Sequence, residues 1–413
     1  MSGRARVGAG VVLAAVGVVG LGGCDKLRGG LGSSGGGSGS GSGPATSARG
    51  GTATGPAGCA VPEDRHVTKS WAIPGKCSLV FPDDLTVDDG ATLTIGAGAK
   101  LAFGSGKVLQ VMNGKLVAQG TDAEPVVFTS AATTPAPGDW AGIALGSAIS
   151  AGTVLDHVVV EYAGNPTRFG TGIATALELD DNPGLRVAVT NSTFRKIKGS
   201  AIRNVHENAA FAKLEGNVLG GDEHSLVLAA NLLGGVGPNK LEAPIRVEGR
   251  VSKTQTWPKV EVPIEIDQLD VRADSGDATL TIAPGTTIKM LPSGKIRVGS
   301  GGHGGLIAKS VAFTSGSSSP APGDWTGIGL YAGTTTAILE GCTVEHAGHA
   351  WEDGHVAVFD VDPPTALGKK VQLTKTTIRA VHGPVFGESV ECAAAAAPAA
   401  GNKAEGVPLC PKR

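Results

Sequence analysis

Residues Pro135 to Leu145 read PAPGDWAGIAL, and residues Pro320 to Leu330 read PAPGDWTGIGL, 185 positions further on. The repetition reaches well beyond this phrase. ATLTIGAG from Ala91 returns as ATLTIAPG from Ala278, VVFTS from Val126 as VAFTS from Val311, and VVVEYAG from Val158 as CTVEHAG from Cys342. AVTNSTFRKIKG from Ala188 returns as QLTKTTIRAVHG from Gln372, and Trp71 aligns with Trp257. One order is kept and the offset drifts by only a few positions, so the sequence reads as two copies of a unit of about 185 residues. Whatever one copy folds into, the other must also accommodate.

Inside each copy a shorter rhythm appears. LTV, ATLTI, AKLAF, KVLQV, GKLVA and VVFTS alternate apolar and polar residues and are separated by Gly, Asn or Asp, the signature of short strands joined by turns. The 65 glycines and 4% aromatic content fit a turn-rich body of small and β-branched side chains, and 41% apolar residues suffice for a core. An antiparallel sandwich or propeller needs hairpin turns at a regular period; Asp89-Gly90 and Asn113-Gly114 do not supply one. The expected fold is all-β, a parallel β-helix solenoid in which like segments stack rung upon rung.

ATLTIGAGAKLAF, GKLVAQGTDAEPVVFTS, PGDWAGIAL and LDHVVVEYAG, taken as a series, resemble the rungs of bacterial surface proteins with right-handed parallel β-helix repeats, the pectin-lyase-like group. The resemblance runs from about Trp71 to Phe386. It implies a right-handed coil and an exported protein, and many members of the group have no known catalysis. The Gly-rich stretch Gly299 to Gly305 departs from the pattern and predicts an irregular rung.

The start of the chain carries a different signal. Arg4 and Arg6 precede the apolar run VGAGVVLAAVGVV and then LGGC, ending at Cys24. This resembles a bacterial lipoprotein signal, which implies cleavage before Cys24, acylation of that residue and attachment to a membrane through acyl chains. The expected layout is a signal over 1–23, an acylated cysteine with a flexible Gly/Ser-rich linker over 24–58, and β-helix units over 59–240 and 241–413, the second carrying a C-terminal cap. The expected place is the outer membrane or cell surface; Asp25, directly after Cys24, also fits inner-membrane retention. Removing the five basic residues and one acid before Gly58 leaves 30 Lys+Arg against 36 Asp+Glu, a net charge of -6 that gives nucleic acid no footing. In an exported chain, Cys59 with Cys77 and Cys392 with Cys410, each pair 18 positions apart, are expected to form disulfides that close the two ends. Cys342, in the apolar run ILEGCTV, reads as a core residue.

For function, the GDW aspartates Asp139 and Asp324 read as turn-closing residues of the frame. Carboxylates suited to glycosidic chemistry are Asp156, Glu161, Glu178, Asp180 and Asp181 in the first copy, with Arg186 or Arg195 to neutralise an acidic substrate. Glu345, Asp360 and Asp362 stand in similar places in the second. His346, His349, Glu352, Asp353 and His355 lie close in sequence, but proximity alone does not make a ligand set, and no metal or cofactor is expected. The copies disagree most at YAGNPTRFG against HAGHAWEDG. Tyr162, Arg168, His346 and Trp351 are therefore the expected contact residues for polysaccharide or a surface protein. The sequence reads as a non-catalytic scaffold or binding module, with a polysaccharide lyase or glycoside hydrolase as the alternative.

Overall fold

A computed structural model describes residues 51–62, 64–146, 151–166, 172–362, 370–387 and 400–410. Cys24, Arg168 and Cys392 lie outside the described residues. Short strands stack in parallel into sheets of 8, 16, 6 and 5 strands. In the first half three sheets share each turn of the coil: Ala91–Ile95, Lys100–Phe103 and Val108–Val111 each pair with the strand about one turn later. Parallel pairing without hairpins is the β-helix arrangement.

Alternation within each strand sends every second side chain inward, and register aligns these residues into columns. In the 16-stranded sheet one column runs Leu85, Leu109, Ile143, Leu177, Ile202 and Leu226. It continues through Ile245, Ile264, Ile288, Phe313, Val344 and Ile378. All are fully buried. Each such side chain contributes roughly 1.5–3 kcal/mol over an exposed one. The column crosses residue 240 unbroken, so the segments read as two units share one continuous stack.

The crossing changes the frame. Gly142–Leu145, the GIAL of the first phrase, lies on the straight path of this sheet, and so does Ala312–Ser315, the AFTS of the second copy. The second phrase's Gly327–Tyr331 instead pairs with the far half of the long strand Thr287–Val298. The repeated phrases are therefore one face out of step around the coil. A 3-10 turn at Ala230–Gly235 and register shifts after Val247 and Ile266 mark the transition.

Register also corrects one alignment. Trp71 pairs with Leu93, whereas Trp257 pairs with Ile282, the place that Ile73 occupies opposite Ile95. Only Trp257 is fully buried. At Gly299 to Gly305 the chain makes a turn with an antiparallel bridge between Ala273 and His303. The following strand, Gly304–Lys309, keeps parallel register with Ala278–Ile282 but shifts register between Gly304 and Gly305 against Thr334–Glu340, so the rung is irregular there.

Pairing begins at Ala53–Thr54, which lies antiparallel to Ser78 and Leu79 within the segment read as linker. Cys59 and Cys77 form a disulfide beside it. In the chain-entropy picture closing such a loop contributes about 3 kcal/mol. Cys410 is also disulfide-bonded, to a partner outside the described residues, and Cys342 is a buried free thiol.

Candidate functional site

The repeated PAPGDW builds a corner. Asp139 accepts from the Ser130 hydroxyl (2.7 Å) and the Ala136 N–H (2.9 Å); Asp324 accepts from Ser315 (2.6 Å) and Ala321 (3.0 Å). Those hydrogen bonds hold the Asp324 carboxyl below its ordinary range. Trp140 and Trp325 are fully buried and donate their indole N–H to the carbonyls of Glu161 and Glu345. In the first half Trp140 also extends the stacked rings of Phe81 and Phe103. Each acid and indole is committed to the fold.

Each of the described expected contact residues, Tyr162, His346 and Trp351, is engaged within the fold. Tyr162 ends its strand in a left-handed conformation (φ 62°), and the Lys196 ammonium lies over its ring and donates to its hydroxyl (2.8 Å). His346 takes the matching left-handed corner (φ 64°) in a different sheet, with Nδ1 3.0 Å from the Thr314 hydroxyl. Trp351 is buried rather than presented to a partner. Its indole donates to the Ala357 carbonyl (3.0 Å), and its ring fills the space over Gly329, where a Cβ would come within 3.0 Å of it. The other loop histidines diverge: His349 faces Ser293, while His355 pairs with Asp353 and with Asp360.

Most candidate carboxylates and arginines are tied to the frame. Asp156 accepts from Thr190 and Asn191, Asp181 from Asn208, and Glu161 from Thr129 and Arg195. Glu345 binds Arg379. Arg186 donates to backbone carbonyls. Asp362 ends Phe359–Asp362 opposite Tyr331, whose phenol is pushed up to about 12, chiefly by burial and then by Asp360 and Glu352.

Glu178 is different. It points outward from Thr175–Leu179 yet its side chain is only 12% exposed, beside an equally buried Arg203 on the next rung. Arg203 Nη1 donates to Oε1, while Glu178 Oε2 and Arg203 Nε are buried without a hydrogen-bond partner. Burial raises the Glu178 carboxyl from 4.5 to about 7 against the pull of Arg203, with Asp180 and Glu248 adding to the rise. The same strand position in the second half, opposite Gly329 as Glu178 is opposite Ala144, holds Asp360, whose carboxyl burial also raises.

The outward row that begins with Glu178 runs through Arg203, Val227, Arg246, Glu265 and Lys289. Rungs stand about 4.8 Å apart, so Arg246 is roughly 14 Å from Glu178 along the coil. There the register shifts open a groove of about 480 Å³, lined by Arg246, Glu248, Asp267, Gln268, Asp270 and the arginines 250 and 272. Single-sequence reading found Glu178 and Asp180. It missed Arg203, because SAIRN reads as an ordinary alternating strand, and it missed the groove, because PIRVEGRVSKTQTWPKVEVPIEI carries no repeated phrase to mark a site.

Comparison with curated proteins and with solved structures finds no match. Residues 78–166 match the family described as a pectate-lyase-like beta helix domain. That part of the chain is thus similar to a pectate-lyase-like β-helix domain, in keeping with the parallel stack it forms.

Proposed function

We propose that this β-helix acts on polysaccharide as a lyase or glycoside hydrolase, with Glu178 as the proton-transferring group and Arg203 as its electrostatic partner. The observation that carries this reading is a buried outward carboxyl raised to about 7, with one oxygen unpartnered, on a row that leads into an open groove. A carboxyl titrating near neutrality can deliver a proton to a leaving oxygen and recover it within one cycle. Asp180 directly follows this strand, two residues beyond Glu178; its Oδ1 accepts the Asp181 N–H and lies 3.9 Å from His206, and it serves as the base to the acid Glu178. The match of residues 78–166 to a pectate-lyase-like domain supports the same class of substrate.

A non-catalytic scaffold or binding module is the second reading. It is favoured by the pairing of Glu161 with Arg195 and of Glu345 with Arg379, which leaves those acids no role beyond the frame. Under either reading, acylation at Cys24 holds the body at the cell envelope, on the outer membrane or cell surface. Incubating the full chain with a panel of polysaccharides and sizing the products separates the two. Chain shortening is expected, with Glu178→Gln slower by about 100-fold or more. No shortening of any substrate leaves the scaffold reading.

A further inference from the structure

We infer that the groove over Arg246 and Gln268 binds an uncharged glycan, so that the cleavage is a hydrolysis; this rests on the polysaccharide reading above. Among the described residues, no hydrogen bond or ion pair engages the side chains of Arg246, Glu248, Asp267 or Gln268, and all four line one groove. The other charged side chains there are spoken for. Arg250 and Arg272 both bind Asp274, and Asp270 forms a double hydrogen bond with Arg297. What remains free is one guanidinium, one amide and two carboxylates.

That set suits hydroxyl groups, which donate to Glu248 and Asp267 while accepting from Arg246 and Gln268. It does not suit a polyanion. Two free carboxylates outnumber one free guanidinium, and Arg246 already acts on the charge of Glu265. The two arginines that the sequence offered for an acidic substrate are also occupied, Arg195 by Glu161 and Arg186 by backbone carbonyls.

The chemistry follows from the substrate. Elimination at a glycosidic bond requires a carboxylate on the sugar to acidify the neighbouring C–H, and an uncharged sugar has none. Hydrolysis has no such requirement. The anomeric C–O bond breaks and Glu178 gives its proton to the leaving oxygen. The water oxygen bonds to the anomeric carbon, and Asp180 takes the proton that water releases; one water is consumed.

Isothermal titration of the full chain with neutral oligosaccharides (β-glucan, mannan and xylan fragments) and with uronate oligosaccharides tests the groove. Neutral fragments are expected to bind at least tenfold more tightly, and Asp267→Asn and Glu248→Gln each to weaken them by about tenfold or more. Products are expected to carry new reducing ends without the ultraviolet absorbance of unsaturated uronates. Tighter binding of uronates, lost in Arg246→Ala, overturns the inference and leaves the polysaccharide reading standing. Chain shortening without groove-dependent binding does the same. Absence of both binding and shortening overturns the two together.

Discussion

Glu178 shows how one residue acquires a property that its local sequence does not announce. In TALEL it sits at an outward position, where a carboxylate is ordinarily solvated. The fold buries it beside Arg203, and burial outweighs the attraction. Between pH 4.5 and 7 the folded protein therefore holds a proton that the unfolded chain has released. Its contribution to stability is present below 4.5 and is lost as pH rises through about 7, with a total of about 3 kcal/mol. Urea unfolding at pH 5 and pH 8 is expected to show that fall in the wild type and a smaller one in Glu178→Gln. Equal slopes in the two proteins would mean that Glu178 is ionised in the fold. The candidate acid was legible as one carboxylate among several; the choice among them came from burial, a property of neighbouring rungs.

Corners and strands were far more legible. ATLTI, VVFTS and GIAL specify period-two strands by alternation alone, and the turn chemistry of PAPGDW marks where the chain changes direction. Asp324 ties Ser315 and the Ala321 N–H into that corner. Asp324→Ala is expected to cost about 1–3 kcal/mol in urea unfolding, through the donors left without a partner, with glycan cleavage unaffected. Lost cleavage at unchanged stability would give the phrase a chemical role. The element scale also explains two misreadings. Trp71 and Trp257 differ by one inward position in the rung, which an alignment of tryptophans cannot see. Trp351 stood out because the two copies disagree at that loop, yet its ring fills the gap that Gly329 leaves in the strand Gly327–Tyr331.

For the molecule as a whole, the continuous core column makes the body from Ala53 onward one stack, held at its start by Cys59–Cys77. We propose that the lipoprotein-like start holds this body at a membrane. Metabolic labelling with a clickable palmitate is expected to mark the wild type and not Cys24→Ser, and fractionation with protease treatment of whole cells to place the labelled protein at the surface. Recovery only from the inner membrane would assign the decisive role to Asp25.

The sequence by itself determined the strands, their inward residues, the parallel stacking of like segments and the corner that PAPGDW makes. Those follow from alternation and turn chemistry, which are local. Tertiary structure alone decided which face of the coil each strand occupies, because every face has the same in-and-out pattern. The passage through Ile245–Val251 and Ile264–Val271 set the second copy one face out of step. Those same two strands open the groove where free polar side chains gather, in the stretch of sequence with the least to say for itself.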